Sequence, residues 1–364
     1  MATQPPYVRA VAKRRTPSPK RKRSSRLVKP WWADLPTEEL LDVRLCDLEL
    51  RLEGTALQAR VDRLHDELGR AGLVFRPYVW LATDWFTPEG STGFAIPFWL
   101  AHRRLARLEH AQMFEAEGAT HEQCMKLLRH EAAHAFDNAY LLHWRDDWRA
   151  TFGRYSDPYR VAYQVSPTSK QFVQHLGWWY AQSHPAEDYA ESFAVWLTPG
   201  SRWQTAYAGW PALKKLRVLD RMLHDVGDLK QEVHSNDRPG SVRSARMTLR
   251  EHYRRKQAGY APGDGARFDR ELQLVFATAE STTRRAAAAA FLLRERTALR
   301  AKVSRLTGLH RYVVDQALQA LAQRCRELDL RVHRPVAEAK LGAAVLATMA
   351  TMALARGHRP RFRR

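Results

Sequence analysis

The stretch "LLRHEAAHAFDNAY", residues 127–140, places two histidines four residues apart, with a glutamate directly after the first. Side chains four residues apart lie on one face of a helix, so His130 and His134 can direct ring nitrogens at a single ion. Glu131 projects beside that ion, where a carboxylate can take a proton from a metal-bound water. This H-E-x-x-H pattern favours a zinc site; the alternative is an amphipathic helix whose histidines face solvent or pair with carboxylates.

A zinc site of this kind needs a third protein ligand, because a catalytic zinc ion has three protein ligands and one position for water. The metzincin continuation requires glycine at position 137 and histidine at position 140, where this chain has Asp137 and Tyr140. The stretch "SHPAEDYAESFAVWL", residues 183–197, offers Glu187 and Glu191 on one face of a second helix. We predict that Glu187 is the third ligand. Glu191 is then the carboxylate that orients a ligand histidine, and Asp137 is a further candidate for that role.

These residues resemble a known group of enzymes. The pattern H-E-x-x-H-x-x-D at 130–137, followed by E-x-x-A-E-x-F at 187–193, resembles the gluzincin branch of zinc peptidases. Within that branch it is most similar to the lethal-factor-like zinc-binding metallopeptidase families. The resemblance covers about residues 31–225 and extends more loosely over the C-terminal part. It implies a hydrolase of peptide bonds with one Zn²⁺ per chain, although it does not supply a substrate.

The resemblance also implies roles for single residues. His130, His134 and Glu187 would bind the zinc ion, and Glu131 would be the general base. In the lethal-factor-like branch a tyrosine lies seven residues before the glutamate ligand, and Tyr180 occupies that position here. Its implied role is to donate a hydrogen bond to the tetrahedral oxyanion. The alternative for this tyrosine is aromatic packing beside the two preceding tryptophans.

The net charge of +20 is distributed unevenly along the 364 residues. Residues 1–30 carry ten Lys and Arg and no acid, and residues 226–364 carry 28 basic against 13 acidic side chains. Residues 31–225, which contain the H-E-x-x-H motif, carry 21 basic against 26 acidic. The basic termini suggest a second hypothesis, a nucleic-acid-associated protein whose zincin core acts on bound proteins or is only a scaffold. Tails that only aid solubility are a further alternative, and a structural zinc ion or a latent enzyme is another.

The pattern of apolar residues predicts an α+β fold: a zincin-like domain with a small mixed sheet and active-site helices, followed by an all-α domain. Strands are expected at "LELRLEG" (48–54), "LVFRPYVWLATDWF" (73–86) and "GFAIPFWL" (93–100). Pro97 lacks an N–H donor, so the third strand should form a sheet edge to which an extended substrate can add. The expected segments are a disordered basic tail (1–30), the zincin-like domain (31–226), a linker with one basic helix (227–265), a helical domain (266–355) and a basic tail (356–364).

Three further features bear on the compartment. The longest apolar stretch, "LGAAVLATMATMALA" at 341–355, is bounded by Lys340 and Arg356 and is too short for a membrane span, so we expect a buried terminal helix. The basic N-terminus has no apolar stretch behind it, which argues against a secretory signal. The three cysteines lack metal-type pairing and are expected to be reduced thiols. A cytoplasmic protein is therefore expected.

Overall fold

The structure is a computed structural model that describes residues 29–159, 165–177, 179–259, 268–278 and 285–357, with side chains up to Ala353. Almost all of the two predicted basic tails lies outside the described residues. The elements up to residue 259 are α1 (Thr37–Leu41), α2 (Ala56–Arg70), β1 (Tyr78–Ala82), β2 (Gly93–Pro97), α3 (Arg103–Met113), α4 (His121–Tyr140), α5 (Asp146–Phe152), α6 (Pro185–Leu197), α7 (Trp203–Ala206), α8 (Ala212–Val226) and α9 (Leu249–Ala258). Their largest cluster of buried apolar side chains extends from Trp32 to Tyr253.

Helix α4, which carries the H-E-x-x-H motif, runs through the middle of this core. It begins at a Thr120 cap, whose hydroxyl accepts the N–H of Gln123, and it ends where Leu141 turns into the left-handed region with φ of 51°. Helices α2 and α6 and strand β2 pack against it. Most α4 side chains are buried, which explains why its polar residues need partners inside the protein.

The sheet predicted for the first half of the chain consists of two parallel strands. β1 and β2 pair in register from Tyr78 opposite Gly93 to Ala82 opposite Pro97, so the second and third predicted strands form in part. The prediction of a strand at 48–54 is wrong. Glu49 has a left-handed φ of 46° and turns the chain, while the preceding residues form a 3₁₀ turn over Leu45–Leu48. Leu48 and Leu50 are buried, although no strand forms over this described segment.

The outer edge of β2 is already occupied, so the predicted addition of substrate to this strand is not available in the structure. The N–H of Ala95 donates to the carbonyl of Phe86 at 2.8 Å, in an antiparallel bridge. The N–H of Gly93 donates to the Ser91 hydroxyl at 3.3 Å, and Pro97 has no N–H. The segment around Phe86 therefore covers the edge that the sequence predicted to be open.

The C-terminal part forms a second core of its own. Its elements are α10 (Asp269–Val275), β3 (Ala277–Thr278), α11 (Ala288–Thr307), α12 (Arg311–Glu327), β4 (Leu330–Arg331) and α13 (Val336–Gly357). The helices were predicted; the two-residue antiparallel pair β3–β4 was not. The basic helix expected in the linker is α9, and it packs on the first core because Leu249 and Tyr253 are buried there.

Helix α13 corrects a further expectation. It was predicted to be a buried terminal helix, yet Leu341 is 69% exposed and Val345 51% exposed. By length and composition alone, it is the one helix in the described part of the chain that could cross a membrane, over Val336–Ala353, with 33% of that window buried. Only one of its faces contributes to the second core.

Candidate metal centre

The site is built where α4 packs against α6. Ala133 on α4 and Ala190 on α6 are fully buried in the core where these two helices are in contact. The Phe193 ring of α6 lies 5.6 Å from the Phe136 ring of α4, so aromatic side chains pack between the two helices. Helix α6 begins with Pro185 after a His184 cap.

This packing brings His130, His134 and Glu187 together. Nε2 of His130 lies 3.0 Å from Oε2 of Glu187, and Nε2 of His134 lies 3.4 Å from the same oxygen. The two Nε2 atoms are 3.3 Å apart. All three ligand atoms lie within 4.8 Å of one another, so the three residues could hold one metal ion.

The donor set fits a tetrahedral zinc ion. Bonds of about 2.0–2.1 Å at a tetrahedral ion place the ligand atoms about 3.3–3.4 Å apart, close to the spacing found here. Among the described residues, the buried Oε2 of Glu187 has no well-aligned hydrogen-bond partner, although it faces both histidines. A shared cation would satisfy that oxygen. Two imidazoles and one carboxylate are also ligands that zinc accepts.

Glu191 contacts His130 at Nδ1, the ring nitrogen that does not face Glu187. Its Oε1 lies 3.0 Å from Nδ1 of His130, and its Oε2 accepts the backbone N–H of Leu176 at 2.8 Å and that of His175 at 3.3 Å. Burial by itself lowers the pKa of His130, but the adjacent carboxylates of Glu187 and Glu191 outweigh burial and hold that pKa well above its ordinary value. A positive charge is therefore favoured between these carboxylates.

Tyr159 belongs to the site and was missed in the sequence. Its hydroxyl donates to Oε1 of Glu187 at 2.6 Å, so one carboxylate oxygen faces the histidines while the other is held by the tyrosine. The Tyr159 ring stacks on that of His184, with centroids 3.8 Å apart and planes 10° apart. His184 in turn caps α6 and lies 2.7 Å, through Nε2, from the carbonyl of Asp157. Tyr159 is 28 positions from Glu187 in the sequence, and no local sequence pattern predicts its role.

Glu131 is buried next to the three candidate metal ligands, but its side chain binds a different partner. Its Oε2 accepts a hydrogen bond from the Thr87 hydroxyl at 2.8 Å. Burial raises the pKa of this carboxyl, while His130, His134 and the Thr87 hydroxyl act in the opposite direction. A raised pKa suits a group that must accept a proton and then release it.

Tyr180 and Asp137 differ in how the structure places them. The Tyr180 ring lies 5.6 Å from the His130 ring, and burial together with nearby negative charges, Glu187 first, raises its pKa well above the ordinary value. Its predicted role as an oxyanion donor stays a prediction. Both carboxylate oxygens of Asp137 bind His143, through its backbone N–H and Nδ1 at 2.9 Å each, and the structure joins Asp137 to neither ligand histidine.

Comparisons with known proteins bear on this region only. Curated proteins gave no match, and solved structures gave none. Over residues 115–238, which contain all three residues of the candidate metal centre, the chain matches the sequence model of a family described as "Putative zinc-binding metallo-peptidase".

Proposed function

We propose that this protein is a zinc-dependent metallopeptidase of the H-E-x-x-H gluzincin type that hydrolyses peptide bonds with Glu131 as general base. The observation that carries the proposal is the convergence of His130, His134 and Glu187 next to a separate buried carboxylate. The family match over 115–238 supports a metallopeptidase at that coarser level. Zn²⁺, one per chain, is the metal that the donor set fits best.

Zinc bound there would polarise a substrate carbonyl and lower the pKa of a water toward about 7. Glu131 would accept the proton from that water and pass it to the leaving amine. Thr87 orients Glu131 for this task through its hydroxyl. The Tyr180 hydroxyl would donate to the oxyanion that forms at the substrate carbonyl.

Glu191 and Tyr159 keep two of the proposed ligands in place. Glu191 is positioned to fix the tautomer and orientation of His130 by accepting from Nδ1, which leaves Nε2 free to bind metal. Tyr159 holds the oxygen of Glu187 that faces away from the histidines. Because His130 and Glu187 are buried and His134 lies one turn from His130 on the same helix, a bound ion would meet a preformed ligand set.

The substrate in this proposal is a protein or peptide, and the location is the cytoplasm. Because a neighbouring segment occupies the outer edge of β2, an extended substrate would have to bind elsewhere than on this strand. Non-specific nucleic-acid binding through the basic termini, with the zincin domain as a scaffold, stays a prediction, because those segments lie outside the described residues.

The experiment compares wild type with Glu131→Gln, using mass-spectrometric profiling of a peptide library. The variant should keep its zinc and lose cleavage, because an amide cannot accept the proton from water. Glu122→Gln is the matched control, since Glu122 lies on the same helix with its side chain 83% exposed. Unchanged cleavage by Glu131→Gln would show that another group is the base.

A further inference from the structure

Phe114, the residue that follows α3, contacts the C-terminal helices. Its φ of 62° lies in the left-handed region, which a bulky residue adopts only where its surroundings hold it there. The Phe114 ring stacks on the Tyr312 ring of α12, with centroids 6.0 Å apart and planes 21° apart. Cζ of Arg300 on α11 lies 4.0 Å from the centre of the same ring, as in a cation–π contact. Phe114 therefore joins the two parts of the chain.

The partners of Phe114 are themselves held in place. Arg296 also lies over the ring, with its Cζ 5.9 Å from the ring centre. We call Arg296, Arg300 and Tyr312 the socket. Asp315 of α12 is fully buried, and its Oδ1 accepts from Nε of Arg296 and from Nη1 of Arg300, each at 2.6 Å. Charge-assisted hydrogen bonds to one buried carboxylate fix both guanidinium groups, so the socket is preformed for an aromatic ring.

Glu115 adds polar contacts next to this ring. Its Oε1 lies 2.8 Å from Nε2 of His310, and its Oε2 lies 3.9 Å from Nε of Arg311. Both partners are at the start of α12, the helix that carries Tyr312. Polar pairs between partly exposed side chains contribute little stability by themselves. The Phe114 ring should therefore provide most of the contact energy, while Glu115 sets its direction.

These two residues open the loop 114–120, which leads to the metal-site helix α4. Within this loop Gly118 has φ of 76° and approaches the Trp85 ring so closely that a Cβ at this position would lie 3.0 Å from a ring carbon. Trp85 is two positions before Thr87, whose hydroxyl binds Glu131. The loop thus packs against the segment that orients the proposed base.

The side-chain hydrogen bonds that the described residues of the first core make to this loop are long. Nε1 of Trp99 donates to the Glu117 carbonyl at 3.4 Å, and Nη1 of Arg60 donates to the Gly118 carbonyl at 3.3 Å. Both distances exceed the usual range for an N–H donor, so these bonds are weak. Contact with the socket should therefore add measurably to the order of the loop.

We infer that the C-terminal helices hold the active-site loop in place: the socket binds Phe114, and Phe114 fixes the loop 114–120 against the segment that carries Thr87. The inference rests on the proposed function, in which Glu131 is the general base. Phe114 is then a positioning residue, because it acts through the loop and Thr87 and not on the substrate.

The test is hydrogen–deuterium exchange of the full chain, read at two backbone N–H groups. That of Ala95 bonds to the carbonyl of residue 86, and that of Ala119 lies in the loop. Tyr312→Ala changes only the C-terminal part, yet it should raise exchange at both N–H groups about tenfold, because the loop and its neighbouring segment loosen. Phe114→Ala should do the same. The double variant should add little to either single change, since both remove one contact.

Two controls separate this effect from general destabilisation. Leu306→Ala changes a leucine of α11 that is 67% exposed, and it should exchange like wild type. The N–H of Val242, which bonds to the Leu81 carbonyl of β1 at 2.9 Å, should keep its wild-type exchange in every variant. Unchanged exchange at Ala95 and Ala119 in the Tyr312→Ala variant would overturn the inference. An equal rise at Val242 would overturn it as well.

A kinetic measurement tests the effect on the base, with a library peptide that wild type cleaves. Phe114→Ala should lower kcat about tenfold while KM and zinc content stay as in wild type, because only the orientation of Glu131 changes. Phe114→Tyr keeps a ring in the socket and should restore kcat. Raised exchange with wild-type kcat would show that the contact does not position the base. If wild type cleaves no peptide, the proposed function fails, while the exchange result still decides whether the socket holds the loop.

Discussion

Oε1 of Glu191 lies 3.0 Å from Nδ1 of His130, while Oε2 of the same carboxylate holds the backbone N–H groups of the 175–176 segment. One fully buried side chain thus connects His130 to the segment that leads into Tyr180. We therefore expect two separable effects of Glu191. One would act on a bound metal ion through His130, and the other acts on the fold through two backbone donors.

Replacement of Glu191 should separate these effects. Glu191→Gln keeps an acceptor oxygen but removes the negative charge beside His130, so zinc affinity should fall about 10- to 100-fold. Glu191→Ala should in addition lower the melting temperature, because it leaves buried N–H groups at 175 and 176 without an acceptor. Chelator competition measures the affinity, and thermal melts measure the stability. Wild-type zinc affinity in both variants would contradict the orienting role.

Tyr159→Phe tests the hydrogen bond from the Tyr159 hydroxyl to Oε1 of Glu187, the carboxylate oxygen that does not face the histidines. Loss of the 2.6 Å hydrogen bond should let the carboxylate rotate and lower zinc affinity about tenfold or more. The readout is chelator competition at fixed pH, without substrate. Tyr140→Phe serves as the control, because it removes a 2.8 Å tyrosine hydrogen bond to the Leu229 carbonyl, away from the site. Equal affinities for the two variants would mean that Tyr159 does not act on the ligand.

Thr87→Val tests the orientation of the proposed base. Valine keeps the shape but deletes the hydroxyl bonded to Oε2 of Glu131, so kcat should fall about tenfold to a hundredfold with zinc content unchanged. That bond lowers the pKa of Glu131. Its loss should therefore move the acid limb of the rate profile to higher pH. If the limb stays in place while the rate falls, the hydroxyl has a structural role only.

The stability of the fold should depend on pH through His252. This ring is buried against Phe98, and burial, aided by Lys256, lowers its pKa to about 3. An unfolded histidine binds a proton below about 6.5, so acid favours the unfolded chain between about 6.5 and 3. His252→Phe should reduce the slope of the unfolding free energy against pH by up to about 1.4 kcal/mol per unit in that window.

Chemical denaturation at a series of pH values gives this slope. His224→Gln is the control, because the His224 side chain is 71% exposed and its substitution should leave the slope as in wild type. A slope that His252→Phe leaves unchanged would show that this histidine is protonated in the folded protein as well.

The parts of the site that depend on helical spacing were accessible to sequence reasoning. His130 and His134 share a face of α4, and Glu187 and Glu191 share a face of α6, so the contact between the two helices brings all four together. Each of these predictions needs only the helical repeat and one helix pair. The structure brings these residues together as predicted, and their chemical roles remain to be measured.

Other contacts depend on how loops return to the site, which the sequence does not encode locally. Asp137 lies one turn beyond His134, but the chain reverses at Leu141 and offers the carboxylate two nearer donors from His143. Tyr159 and Thr87 reach the site from loops 28 and 44 residues away from their partners. No spacing rule selects either one.

The false strand at 48–54 has a similar cause. The alternation of Leu48, Leu50 and Leu52 indicates that one side of the segment faces the core. Leu48 and Leu50 are indeed buried. A strand also needs a partner ladder. Here the left-handed Glu49 turns the chain, and the preceding N–H groups of Leu45 and Cys46 bond to carbonyls of the 245–247 segment instead.

The most direct test of the account is the zinc content of purified protein, measured by mass spectrometry after dialysis against a weak chelator. Wild type should hold one zinc ion per chain. His130→Ala and Glu187→Ala should each lose it, whereas the control His143→Ala, which removes the partner of Asp137, should retain it. Full zinc content in both ligand variants would contradict the assignment of His130, His134 and Glu187 as the metal centre.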